Sequence, residues 1–161
     1  MTGLFNRATA EEKIRGRVAA AVRPGILLIM DVDGLKAIND TFGHREGARV
    51  ICNVAQTLKA HFRSTDVIGR FGGDEFAIYL GAAAGSRAGV SASVRALLDK
   101  IAALDMGGEL QGAQCSVGCA EQEDGIGFDE LYRRADAALY YAKRHGKNQL
   151  AFYEARMEER K

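Results

Sequence analysis

The sequence predicts an α+β fold: one mixed β-sheet with helices packed on both faces, a ferredoxin-like or palm-type sandwich. Three observations carry that expectation. Ile26-Leu27-Leu28-Ile29-Met30 is a short, wholly apolar run between Gly25 and Asp31, the pattern of a central strand buried on both faces. Strand-like and helix-like segments alternate along the chain, as a sheet with packed helices requires. Finally, Arg70-Phe71-Gly72-Gly73-Asp74-Glu75-Phe76 sets two glycines between two strand-like runs, which predicts a β-hairpin with Asp74 and Glu75 at its tip.

The first helix is expected over Ala8 to Val22, on Ile14, Val18 and Ala21/Val22, and stops at Arg23-Pro24-Gly25. Gly25 to Val32 is the central strand. Gly34 to Asp40 reads as a short helix or turn. A long amphipathic helix follows, with Val50, Ile51, Val54, Leu58 and Phe62 on one face. Val67–Arg70 and Glu75–Leu80 are the arms of the hairpin, and Gly81 to Ser86 is a loop. Val90 to Leu104 is helical on Val94, Leu97, Leu98 and Ile101. Gln114 to Glu121 alternates, with Cys115, Val117 and Cys119 on one face, and so reads as a strand. Phe128 to Arg144 is a helix burying Leu131, Ala135, Ala138, Leu139 and Ala142. Gln149 to Tyr153 closes the chain as a short strand.

Composition narrows the function. At 161 residues, 47% hydrophobic and 27% charged, the chain is an ordinary globular domain. A net charge of +1 creates no field for nucleic acid or for an anionic membrane, so neither is an expected partner. The apolar runs are too short to span a bilayer and no signal peptide is visible. Cys52, Cys115 and Cys119 have no metal-ligand spacing and read as small apolar residues in a reducing, cytoplasmic setting. Residues 1–161 are expected to be one domain, cut from a longer protein.

Two acidic clusters stand out: Asp31/Asp33 where the central strand emerges, and Asp74/Glu75 at the hairpin. Carboxylates without cysteine or histidine are hard-oxygen donors suited to Mg²⁺ or Mn²⁺, which share their shell with substrate phosphates. Lys36, Lys143 and Lys147 could neutralise such phosphates. Each residue taken singly also fits a solvated surface charge. Taken together, they point to phosphoryl or nucleotidyl transfer.

The motifs then converge on a family. Gly72-Gly73-Asp74-Glu75-Phe76 is the name-giving motif of the GGDEF family, the diguanylate cyclases. Thr2-Gly3-Leu4-Phe5-Asn6-Arg7 resembles its T-G-L-x-N-R opening. Asp31 to Asp40, followed by Gly43-His44 and Gly47, resembles its D-x-D-x-F-K-x-I-N-D…G-H-x-x-G block. Ala135-Asp136-Ala137-Ala138-Leu139-Tyr140-Tyr141-Ala142-Lys143, then Gly146-Lys147-Asn148, resembles its A-D-x-A-L-Y-x-A-K…G-[RK]-N ending. The resemblance runs in order over nearly the whole chain. The class III nucleotidyl cyclases share the two-carboxylate chemistry, but the Gly-Gly-Asp-Glu-Phe hairpin argues against them.

The resemblance implies that two copies face each other, each holding one GTP, and join the nucleotides into cyclic di-GMP with release of pyrophosphate. It implies that Asp31, Asp74 and the Val32 carbonyl hold Mg²⁺. Asp74, Glu75 and Lys36 are the catalytic candidates, with Asp74 assisting deprotonation of the attacking 3′-hydroxyl. Lys36, Lys143 and Lys147 would hold the β- and γ-phosphates. Gly72 and Gly73 would let the nucleotide lie close, Asn39 would bond the guanine edge, and Leu35 would keep the apolar contact usually made by phenylalanine. Arg63-Ser64-Thr65-Asp66, five residues before the glycines, matches the family's R-x-x-D inhibitory site for cyclic di-GMP. An N-terminal sensor or receiver domain is the expected attachment, which allows a cytoplasmic part of a membrane-anchored protein as well as a free cytoplasmic one.

One position departs from the family block. Where G-H-x-x-G-D places an aspartate that accepts from guanine, this chain has Ala48. Losing a charged acceptor costs about 1.5–3 kcal/mol, roughly tenfold to a hundredfold in affinity. Glu46 lies two positions away on a helix start and would point elsewhere. Three readings follow: an active diguanylate cyclase with weaker guanine selection, a cyclase of relaxed base selectivity that accepts ATP, or an inactive module that binds GTP or cyclic di-GMP.

Overall fold

Six strands, β1 (Phe5–Asn6), β2 (Ile26–Val32), β3 (Val67–Arg70), β4 (Glu75–Leu80), β5 (Cys115–Glu121) and β6 (Leu150–Phe152), form one sheet in the order β1-β3-β4-β2-β5-β6. The helices are α1 (Arg7–Ala20), α2 (Leu35–Phe42), α3 (His44–His61), α4 (Arg87–Ala102) and α5 (Phe128–Arg144), followed by a 3-10 turn at Ala155–Arg160. The computed structural model describes residues 1–20, 23–81 and 84–160. Ala21 and Val22, expected on the face of the first helix, and Ala82 and Ala83 of the expected loop lie outside them.

The apolar run is the central strand. β2 is buried at every position and pairs antiparallel with β4 on one side and β5 on the other. Its residues alternate between two cores, as a strand covered on both faces must. Ile26, Leu28, Met30 and Val32 pack with Val50, Val54 and Leu58 of α3 and Val94, Leu97 and Ile101 of α4. Leu27 and Ile29 face the other way, onto Ile14 of α1 and Leu131, Ala135 and Leu139 of α5. Helices therefore cover both faces, in an α+β architecture.

Local chemistry sets several boundaries. Ser86 caps α4 by accepting from the Gly89 N–H at 3.2 Å. Asn6 does the same for α1, its Oδ1 accepting from Thr9 N–H at 2.9 Å, so α1 starts at Arg7. Phe62, expected on the face of α3, is instead its extended C-cap residue. The segment after Asp33, open between helix and turn, is the helix α2. β1 carries no periodic signal in two residues; it exists because it pairs in parallel with β3.

α5 lies unusually near the sheet, and one residue allows it. A Cβ at Gly118 of β5 would fall 2.1 Å from the Ala135 carbonyl oxygen and 2.2 Å from the Leu139 nitrogen. Only glycine permits that approach.

Candidate active site

Strand pairing brings the two acidic clusters together. Asp31 of β2 is paired with Glu75 of β4 and with Ser116 of β5, so the three side chains share one face in a row across neighbouring strands. It is the α5 face, because Leu27 and Ile29 on the same side of β2 pack against α5. Just beyond, the Val32 N–H donates to the Asp74 carbonyl at 3.0 Å, which latches the hairpin to the end of β2.

Two carboxylates directly opposite each other on paired strands repel. Each here has its own partner on α5. Lys143 Nζ lies 3.0 Å from Asp31 Oδ2, and Tyr132 Oη donates to Glu75 Oε1 at 2.7 Å. Asp31 is only 9% exposed, and burial, more than anything else, pushes its carboxyl above the usual range. Lys143 pulls it back down, while Asp74 and Asp33 add to the rise. Burial and then the bond to Glu75 push the Tyr132 phenol well above its usual value, so it stays a donor. Asp33 is committed elsewhere: both its oxygens accept from Ser116 Oγ, at 3.0 and 2.8 Å, and one accepts from Asn148 N–H at 3.1 Å. That ties β2 and β5 to the turn in which Lys147 and Asn148 have left-handed backbones, with φ of 58° and 45°.

The hairpin tip departs from the expected tight glycine turn. Four residues, Phe71 to Asp74, connect the arms, and Glu75 already belongs to β4. Phe71 and Gly72 N–H groups both donate to the Glu75 carbonyl, at 2.8 and 3.2 Å. With that length neither Gly72 nor Gly73 needs a left-handed backbone, and neither has one. A Cβ at Gly73 would meet nothing within 4 Å, and at Gly72 only ordinary contact with Glu75. The fold itself does not demand these glycines. Their missing side chains leave open space beside Asp74. Arg70 steadies the tip, donating from Nε to Gly72 O at 3.1 Å and from a terminal nitrogen to Gly73 O at 2.7 Å.

The other expected residues are spread around this row. Leu35, Lys36 and Asn39 lie on α2, which follows Asp33 directly; Lys36 is exposed and Leu35 and Asn39 are half-buried. Asn39 Oδ1 is buried without a hydrogen-bond partner. It fits against α3 because residue 47 is glycine: a Cβ there would sit 1.8 Å from it. Ala48 is exposed on the first turns of α3, and Glu46 is turned aside onto Arg49. Lys147 is exposed. Arg63 and Asp66 lie at the opposite end of β3 from the hairpin tip, a strand length of about 13 Å away at ~3.3 Å per residue. Asp66 Oδ2 accepts from the Arg63 N–H at 2.9 Å and closes that turn, beside a cavity of about 110 Å³ that both residues line.

Sequence reading missed Tyr132, Ser116 and Arg70 as parts of the site. Arg70 adjoins the glycines, and Ser116 is a polar residue on a face covered by a helix. Tyr132 had no signal, because its partner is 57 residues away.

The donor set fits a hard divalent cation: Asp31 and Asp74 offer carboxylate oxygens at adjoining strand ends, and the nearby thiol of Cys115 faces the opposite core. Among the described residues no group of three or more His, Cys, Asp or Glu side chains is placed to hold a metal, so the fit rests on two carboxylates and a backbone carbonyl.

Comparison with known proteins bears on the fold and the family. The chain is 37% identical over 159 residues to the diguanylate cyclase DgcP of Pseudomonas aeruginosa, covering 93% of this chain and 23% of that protein. It is 35% identical over 159 residues to the diguanylate cyclase DosC of Escherichia coli, covering 96% of this chain and 35% of that one. The chain thus spans about a quarter to a third of these curated relatives. Its structure is similar to the GGDEF domain of DgcB from Caulobacter crescentus in complex with c-di-GMP, with a TM-score of 0.90, 28% identity, and coverage of 96% of this chain and 91% of that one. It is similar also to the active GGEEF domain of a Vibrio cholerae diguanylate cyclase, with a TM-score of 0.87, 28% identity, and coverage of 94% and 98%. A family model described as "Diguanylate cyclase, GGDEF domain" matches residues 1–149, and the chain belongs to that family.

Proposed function

We propose that this domain condenses two GTP into cyclic di-GMP, with a divalent cation, across a homodimer in which each copy supplies half of the site. The observation that carries the reading is the latch between Val32 N–H and the Asp74 carbonyl, which sets Asp74 beside Asp31 at one end of the sheet's central strands. Asp31, Asp74 and the Val32 carbonyl would hold Mg²⁺ or Mn²⁺. The cation, when bound, neutralises triphosphate charge and favours departure of pyrophosphate.

The chain's own residues position and stabilise. The 3′-oxygen of one GTP attacks the α-phosphorus of the other. An O–P bond forms, the bond from that phosphorus to the bridging oxygen breaks, and pyrophosphate leaves; the second half-site repeats the step in the opposite sense. Asp74 assists removal of the 3′-hydroxyl proton, and Glu75 lies next to it on β4. Lys143 has three donors, so it can keep Asp31 and still reach a phosphate, together with Lys36 and Lys147. The open space at Gly72 and Gly73 receives the nucleotide. Asn39, half-buried on α2, bonds the guanine edge. Arg63 and Asp66 form the inhibitory site for the product; the similarity to a GGDEF domain solved with c-di-GMP supports this. The domain is one unit of a longer cytoplasmic or membrane-anchored signalling protein, joined to a sensor or receiver domain. No described helix is long and apolar enough to cross a membrane.

Exposed Ala48 favours a second reading in which base selection is relaxed or turnover is lost. Incubating concentrated protein with Mg²⁺ and GTP, ATP or both, followed by product analysis, separates them. Cyclic di-GMP as the main product supports the proposal, and adenine-containing cyclic dinucleotides support relaxed selection. GTP binding without any cyclic product would leave a regulatory module.

A further inference from the structure

The geometry assigns Tyr132 as a positioning residue of the catalytic hairpin, acting through Glu75; this deepens the cyclase reading and rests on it. Three observations combine. Tyr132 Oη donates to Glu75 Oε1 at 2.7 Å, and Glu75 is paired directly with Asp31 across the β2–β4 ladder. The phenol ring is itself fixed, stacked on Phe71 at 5.9 Å with 15° between planes and tilted against Phe128 at 5.8 Å. Phe71 is the residue before Gly72, and Arg7 sits over its ring at 5.4 Å, so Tyr132 touches the hairpin at both ends of its turn.

The consequence concerns how charge is shared. α5 meets the acid row at two places, Lys143 on Asp31 and Tyr132 on Glu75. With the hydroxyl in place, Glu75 has a neutral donor of its own and leaves Lys143 to Asp31. Without it, two paired carboxylates compete for one ammonium group, and like charges at paired positions move apart where they can. Glu75 heads β4 immediately after Asp74, so a shift of its side chain disturbs the hairpin tip first, and whatever share of Lys143 it draws is taken from Asp31 and from the phosphates. Tyr132 thus separates the two acids that strand pairing forces together.

Tyr132→Phe keeps both ring contacts and removes only the hydroxyl. In the wild-type background we expect kcat for cyclic di-GMP formation to fall about tenfold, the value of a hydrogen bond to a charged group, with a smaller rise in KM for GTP, about threefold or less, from the weakened hold of Lys143. Because Glu75 is itself a catalytic candidate, the Glu75→Ala background is read by Mn²⁺ affinity rather than turnover, and there the same change should alter affinity less than about 1.5-fold, since its target is gone. A second arm needs no turnover: titration with Mn²⁺ alone should show at least about threefold tighter binding by Tyr132→Phe, since a carboxylate stripped of its donor leaves more uncompensated negative charge beside Asp31 and Asp74. Circular dichroism melting of all variants should stay near wild type. Unchanged kcat with unchanged Mn²⁺ affinity would overturn the assignment. So would the same Mn²⁺ tightening in the Glu75→Ala background, or a fall in activity that only tracks a lowered melting temperature. If the wild type makes no cyclic dinucleotide, the cyclase reading fails while the Mn²⁺ arm still decides Tyr132.

Discussion

The acid row and the base-reading corner of this domain are built differently. The row of Glu75, Asp31 and Ser116 is placed by backbone pairing on three adjacent strands, and each member has a partner nearby: Tyr132, Lys143 and Asp33. The corner is placed by two short-linked helices, α2 and α3, and ends in a buried acceptor with no partner, Asn39 Oδ1, and a bare methyl group at Ala48. An unsatisfied buried acceptor costs about 1–3 kcal/mol, so the corner carries a debt that the acid row does not. Strand ladders can hold like charges together before any ligand arrives. A helix pair can hold an empty acceptor only by packing tightly, here through Gly47.

The sharpest way to break the acid row is to neutralise Asp74, its neighbour at the hairpin. Asp74→Asn keeps the shape and the carbonyl latch to Val32, since that bond uses the main chain. It removes the charge proposed to hold the cation and to assist the 3′-hydroxyl. Cyclic di-GMP formation should fall on the order of 10³-fold, with the melting temperature unchanged or slightly raised as repulsion on Asp31 is relieved. A loss under tenfold would move the catalytic role off Asp74.

The next effect tests the brace rather than the acids. Gly118→Ala places a methyl group inside van der Waals distance of the α5 backbone, at positions where no flexible side chain can yield. Overpacking of this kind costs about 1–3 kcal/mol. Because α5 carries both Tyr132 and Lys143, activity should fall together with stability in a denaturant titration. Lost stability with full activity would mean that the row does not depend on α5.

How much of this was legible in the chain follows the same division. β2 announced itself as five consecutive apolar residues, and α3 and α5 by their spacing, because burial imposes a period. The acids were legible as clusters, but their meeting was not, since register between β2 and β4 is a tertiary fact. The turn glycines were read as a hairpin signal and as room for a nucleotide, and the structure shows a four-residue connection in which neither is left-handed. Tyr132 was hidden inside an amphipathic helix where an aromatic residue reads as core. The corner was legible only as a departure: Ala48 showed in the sequence, whereas the orphaned Asn39 oxygen needed coordinates.

The smallest predicted effect would sharpen the corner. Ala48 is exposed on the second turn of α3, so an aspartate there needs no repacking. Ala48→Asp should therefore leave the melting temperature within a degree or two. It adds a charged acceptor on the helix that packs against Asn39, where guanine offers N–H donors and adenine's corresponding edge offers fewer. The ratio of kcat/KM for GTP over ATP should rise about tenfold, mostly through KM for GTP, while kcat stays near wild type. A rise in kcat with no change in KM would place residue 48 in the chemistry and erase the distinction between corner and row. No change in either would mean that Asn39 alone reads the base, and that an alanine at 48 costs this domain nothing in selectivity.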